Sequence, residues 1–260
     1  MGYSADYFPL RVARWLDSGW LFPGAHLIEF GAQEFYADPE AARRQTLGFL
    51  LARGVPNADA ATATDRLSIA SCYKALGIHY SSIDVDGSHG STFFDLNTFA
   101  PPADWVGAFD MVNNGGTIEH LVNPMNGFQV AHELLKPGGV VHHAIPLTGW
   151  PEHGLFYPTK KFYDRLIWEN DYQVLDRQID QDGPVNQQLS LTYRKRGETP
   201  FRAPFDHLTG PDAYVVGARL TNNWLAYSAR RFNGDQPTRA SMSLRRRLVS
   251  LKWRLFSFVR

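Results

Sequence analysis

The chain has 260 residues, of which 44% are apolar and 13% aromatic. That length and composition suit one large α/β domain or two small ones and exclude a disordered, collagenous or disulfide-built chain. Its 26 Lys and Arg balance 26 Asp and Glu, which argues against nucleic acid as a partner, because nucleic-acid affinity draws on an excess of basic side chains over phosphates.

In chain order, His26–Phe30 is a short strand-like run ending at Gly31. Pro39–Arg53 follows as a helix, with Pro39 at its start and Gly54 past its end. Asp65–Leu76 is a second helical stretch closed by Gly77, and His79–Asp84 is the next strand. A turn with Gly87 and Gly90 leads to a brief apolar run, Thr92–Leu96, and then to a strand at Phe109–Val112. Asn126–Leu135 is a helix stopped by Pro137-Gly138-Gly139, and Val140–Ile145 is a strand ended by Pro146. Strands that alternate with helices predict a parallel sheet with helices on its faces, since parallel strands need crossover connections. Beyond this point the type changes. Thr159–Asn170 is helical, whereas Tyr172–Asp176, Leu189–Lys195, Tyr214–Leu220 and Trp224–Arg230 are β-like, which predicts an antiparallel edge on the parallel sheet.

An open α/β sheet binds ligands beyond the carboxyl ends of its strands, where strand order reverses. Three such ends carry chemistry. Glu29-Phe30-Gly31-Ala32-Gln33 places an acid before a glycine that lets the backbone turn tightly and approach a ligand. Ser82-Ile83-Asp84-Val85-Asp86 sets carboxylates where ribose hydroxyls can donate to them. Asp95-Leu96-Asn97 can read the edge of a base.

Together with Phe109-Asp110-Met111-Val112, Ile118-Glu119-His120-Leu121 with Pro124, and Leu134-Leu135-Lys136-Pro137-Gly138-Gly139, this series resembles the class I S-adenosylmethionine-dependent methyltransferases over residues 22–176. The resemblance implies a Rossmann-like, doubly wound, mostly parallel seven-stranded sheet with an antiparallel edge strand. It implies S-adenosylmethionine as cofactor, with Glu29, Gly31 and Gln33 beside its methionine part, Asp84 and Asp86 at the ribose, and Asp95 and Leu96 at the adenine. Asn113, Asn114 and Gly115 would line the cofactor and acceptor side. Two departures stand out. Gln33 and Phe35 occupy positions where the family has further glycines, and Gly31 lies 53 residues from Asp84, a gap that an inserted helical hairpin over 35–76 would fill. The lack of a G-x-G-x-x-G run argues against a nicotinamide-dependent oxidoreductase.

Methyl transfer from a sulfonium needs donor and acceptor held at near-attack distance and, for a hydroxyl acceptor, a group to remove its proton. His120, His142, His143 and His153 are the candidates. His142 and His143 alternate along one strand, and His143, nearer the strand's carboxyl end, is preferred as the catalytic residue together with His120 and Glu119. His120 could instead be a helix-start residue bonded to backbone. Glu119-His120 is similar to the E-x-x-E-H metal site of some O-methyltransferases, but Gly116 stands at the first glutamate position, so no metal is expected. Trp150–Pro158 reads as an acceptor-binding loop or as packing that covers the sheet.

Cys72 is the one cysteine, which excludes an intrachain disulfide and fits a reducing, cytoplasmic setting. Met1–Leu10 has no signal-peptide pattern, and no apolar run reaches the roughly 20 residues that span a bilayer. The charge balance is uneven: residues 239–260 hold seven basic residues and no acid. On a helical wheel, Leu244, Leu248, Leu251, Leu255, Phe258 and Val259 form one stripe flanked by Arg245, Arg247, Lys252 and Arg254. Such a helix can lie on an anionic membrane surface, dock on the protein's own core or meet a second subunit in a homo-oligomer. The expected organisation is a methyltransferase domain over 1–235 and a basic amphipathic helix over 236–260. The expected activity is O-methylation of a small-molecule, glycan or lipid-linked acceptor. A non-catalytic member of the fold that binds or scaffolds is the alternative.

Overall fold

The computed structural model describes residues 2–35, 38–63 and 67–204. The strands expected at 214–220 and 224–230, the boundary at 235 and the amphipathic helix over 244–260 all lie outside the described residues.

The chain opens with β1 (Gly2–Tyr3), a π-helical turn at Phe8–Val12 and α1 (Ala13–Asp17), followed by β2 (His26–Phe30) and β3 (Glu34–Phe35). Three helices then intervene, α2 (Pro39–Ala52), α3 (Ala58–Ala61) and α4 (Ile69–Ala75), where a two-helix hairpin was expected. Asp38 caps α2 by accepting from the amides of Glu40 and Ala41, and Ser68 and Ser71 form a reciprocal capping box on α4. β4 (His79–Asp84), β5 (Thr92–Phe93), β6 (Phe109–Asn114), α5 (Pro124–Leu134), β7 (Leu135–Thr148), α6 (Lys160–Glu169), β8 (Gln173–Asp182) and β9 (Asn186–Arg194) complete the described part.

Seven strands form one sheet in the order β5-β4-β2-β6-β7-β9-β8, and β1 pairs with β3 apart from it. All neighbours are parallel except those of β9, which runs antiparallel to both β7 and β8. The reversed strand is therefore one place in from the edge rather than at it. Strand order reverses beside β2, where the chain leaves toward β4 on one side and later returns to β6 on the other.

Each face of the sheet has its own core. On one, Phe128, Ala131 and Leu134 of α5 share a helical stripe and pack with α6 against Ile28, Phe30, Val112 and Val141. On the other, Phe8, Trp15, Phe49 and Tyr73 cover Leu27 and Met111. Cover on both faces leaves only His26 of β2 exposed, and buries even the acid Glu29. Removing each large side chain from water contributes about 2–3 kcal/mol.

β7 extends past both of its expected limits. Pro137-Gly138-Gly139 ends α5 but is absorbed as an irregularity in the β6–β7 register, between Phe109 and Met111. Pro146 pairs only with Gln188 of β9, because β6 ends opposite His143. On that side no partner requires its missing amide proton. Among the described residues no helix is long and apolar enough to cross a membrane.

Candidate functional site

The parallel strands bring the carboxyl ends of β2, β4, β5 and β6 to one edge of the sheet. There, Gly31, Asp84, Asp95, Leu96, Thr117 and His120 line a cavity of about 320 Å³, within the size range of small-ligand sites. Residues 53 positions apart in sequence thus face one space. Ile83, Phe94 and Leu96, all nearly fully buried, give it an apolar wall.

Gly31 turns the chain with φ +78°, a left-handed conformation that disfavours any Cβ. A Cβ there would also lie 2.6 Å from Oγ1 of Thr117. Thr117 in turn donates to the carbonyl of Phe30 at 2.7 Å, so the loops after β2 and β6 are tied together. Asp84 tightens the same corner. One carboxylate oxygen accepts from the Ala32 amide at 2.8 Å and the other from the Val85 amide at 2.7 Å. An ionised carboxylate has about four acceptor positions, so two remain for a ligand.

Asp95 accepts from the amide and side chain of Asn97, and the Asn97 backbone bond leads in holding its carboxyl below the ordinary range. Asn97 accepts from the Asn123 amide, and Asn126 donates to the carbonyl of Leu96. The start of α5 therefore fixes the 95–97 loop. Asp86 is exposed and caps Ser88, whose amide hydrogen bond is the main cause of its lowered pKa. It does not line this cavity.

The remaining expected cofactor residues lie elsewhere. Glu29 is fully buried under the amino-terminal segment, where Tyr3, Tyr80 (2.6 Å) and Asn113 (2.7 Å) all donate to its carboxylate. Burial dominates nonetheless and pushes its pKa up to about 8. Gln33 is buried, with its amide 3.1 Å from where a Gly31 Cβ would stand. Asn114 accepts from the amides of Thr117 and Ile118, which makes it the brace of the loop after β6. Gly115 is covered by the Tyr3 ring and borders a different cavity of about 500 Å³ beside Arg11, Arg14 and Asp180. The two arginines of this larger cavity are already paired, Arg11 to Asp180 at 3.5 Å and Arg14 to Asp176 at 2.7 Å, and its only expected cofactor residue is Gly115. The smaller cavity is the better candidate.

The histidines separate sharply. His143, expected to act on the acceptor, is a core residue beneath α5: Asn114 meets its Nδ1 at 3.1 Å and Tyr193 its Nε2 at 3.0 Å. Burial lowers its pKa to about 3. The opposite face of β7 holds His142 against Trp15, again fully buried. His120 alone lines the cavity, half-buried, its pKa lowered by burial and then by His153. Glu119 is buried beside it and has its pKa raised to about 7 by burial. The Trp150–Pro158 segment packs on this turn, with the amides of Leu155 and Phe156 both donating to the Glu119 carbonyl. Sequence reading missed Tyr3, Tyr80 and Thr117, which act only through distant partners.

Strand order with the single reversed strand second from the edge decides the architecture. The fold is a Rossmann-like, doubly wound, mostly parallel seven-stranded sheet. No protein-family model and no curated protein matches the sequence. Solved structures that it resembles include the [4+2]-cyclase SpnF, at 14% identity and a TM-score of 0.45 over 74% of this chain and 81% of that one. Another is 1,6-didemethyltoxoflavin-N1-methyltransferase from Burkholderia thailandensis, at 13% identity and 0.43 over 73% and 78%. A third is geranyl diphosphate C-methyltransferase from Streptomyces coelicolor, at 9% identity and 0.42 over 71% and 80%. A shared fold does not fix a reaction, so function rests on the site.

Proposed function

We propose that the protein is an S-adenosylmethionine-dependent methyltransferase acting on a hydroxyl of a small-molecule or glycan acceptor. The observation that carries this reading is the cavity beside the strand-order reversal, in which Gly31, Asp84, Asp95 and Leu96 line one space. The donor set suits an adenosyl group: two spare acceptor positions on Asp84 for ribose hydroxyls, an apolar wall of Ile83, Phe94 and Leu96 for the base, and a braced carboxylate at Asp95 for its polar edge.

When bound, S-adenosylmethionine supplies an electrophilic methyl on a sulfonium. The chain's own contribution is positional. Gly31 keeps the backbone close, Asp84 orients the ribose and the 95–97 loop fixes the base. His120, held neutral by burial, is the side chain able to take the acceptor's proton.

Calorimetry with S-adenosylmethionine and S-adenosylhomocysteine tests the reading. Binding of both is expected, with Asp84→Ala weakening each by roughly tenfold or more, since hydrogen bonds to a charged group contribute about 1.5–3 kcal/mol. No heat from either ligand would favour a non-catalytic binding module. That second reading is supported by Gln33 in place of a glycine beside Gly31 and by the Tyr3 ring over Gly115.

A further inference from the structure

Among the described residues, Glu119 is an unusual buried acid. It is 1% exposed, and neither carboxylate oxygen has a hydrogen-bond partner. A carboxylate in that state is costly unless a cation or donor meets it. Nε2 of the neighbouring His120 is likewise buried and unpartnered. His153 reaches the same point from the loop after β7, its ring 4.9 Å from that of His120 and at a steep angle to it. One ligand atom from each of the three residues lies within 4.8 Å of the others.

The loop that carries His153 is held to this turn by built contacts. Leu155 and Phe156 donate to the Glu119 carbonyl at 2.7 and 2.9 Å. Tyr157 accepts from the Gly154 amide and donates to the Trp150 carbonyl, each at 2.9 Å. Gly154 sits so close that a Cβ would come within 3.0–3.2 Å of the Glu119 carbonyl and side chain. His153 is therefore placed by its loop and does not merely pass by.

We propose that Glu119, His120 and His153 form a binding site for a divalent transition-metal ion of the zinc class. Two imidazoles and one carboxylate suit zinc or cobalt better than magnesium or calcium, which prefer all-oxygen shells. The third ligand is His153, contributed from another strand's loop, so a glycine at position 116 does not prevent the site. The ion would border the cavity that His120 lines. The proposal is independent of methyl transfer except at His120: with an ion bound, its imidazole would be a ligand and no longer a free base, and the ion would instead lower the pKa of an acceptor hydroxyl bound to it, whose proton would leave to solvent.

The test uses the full chain, stripped with chelator and titrated with zinc by calorimetry and with cobalt by visible absorption. One equivalent is expected, with a saturable cobalt d–d band. His153→Ala should weaken zinc binding by more than about a hundredfold, because loss of a direct ligand exceeds the 10- to 100-fold effect of losing an outer-shell partner. His153 is exposed, so this variant should fold. Glu119→Gln should also weaken binding, while His26→Ala, which breaks a stacked His26–His79 pair, should not. Absence of saturable binding, binding indifferent to His153→Ala, or loss of binding with His26→Ala would each overturn the proposal. None of these outcomes depends on whether S-adenosylmethionine binds.

Discussion

Glu29→Gln isolates the most consequential buried acid of the sheet. Burial raises the Glu29 pKa from about 4.5 in the unfolded chain to about 8. At 1.36 kcal/mol per unit this corresponds to an upper limit on the order of 5 kcal/mol. The sign follows from proton counting. Between these values the folded chain holds a proton that the unfolded chain has released, so stability falls as pH rises. The contribution is complete below about pH 4.5 and is lost as pH passes through about 8. Glutamine keeps the shape and cannot ionise. Urea unfolding of both proteins from about pH 5 to about pH 9 should show the wild type losing several kcal/mol relative to the variant, with Glu119, common to both, cancelling in the difference. Parallel curves would refute the reasoning. They would mean that the donors Tyr3, Tyr80 and Asn113 keep Glu29 ionised throughout and outweigh its burial.

Gly31→Ala should destabilise by roughly 2–5 kcal/mol, combining a left-handed backbone cost with overpacking against Thr117; thermal denaturation checks it, and adding Thr117→Ala should recover only the packing part. His143→Gln should lower stability by about 1–3 kcal/mol through its buried partners Asn114 and Tyr193, yet leave S-adenosylmethionine affinity unchanged; a selective loss of affinity would return His143 to the site. With the opposing carboxyls removed as Glu29→Gln and Glu119→Gln, stability should fall below about pH 6.5, because His132, His142 and His143 stay neutral when folded and protonate when unfolded; a flat acid limb in urea unfolding of that double variant would contradict this. Deleting residues 239–260 should reduce sedimentation with anionic vesicles if the basic tail seeks a membrane surface, and unchanged sedimentation would remove that idea.

The parallel half of the sheet was legible because short strand-like runs alternate with helical stretches and are bounded by glycine, proline or acid. His26–Phe30 and His79–Asp84 begin and end where expected. So was the meeting of Gly31, Asp84, Asp95 and Leu96, which follows from strand order alone. What did not show was side-chain direction. Period two puts Asn113 and Asn114, or His142 and His143, on opposite faces, but not which face is wet. His143 looked well placed near a strand end and is roofed by α5. Glu29 looked like a cofactor contact and is claimed by Tyr3, 26 residues upstream and outside any local pattern. His153 carried no spacing that tied it to Glu119, since only the folded loop brings them together.

The contact of Tyr3 with Glu29 also bears on how the protein should be handled. Trimming even the first three residues would take one phenol away from a carboxyl group in the middle of the sheet, unzip the small strand pair that begins at Gly2 and lay Gly115 bare. Affinity handles and shortened versions designed at that end would therefore change the electrostatics of the molecule's centre, so a loss of ligand binding in such versions would say little about the site itself.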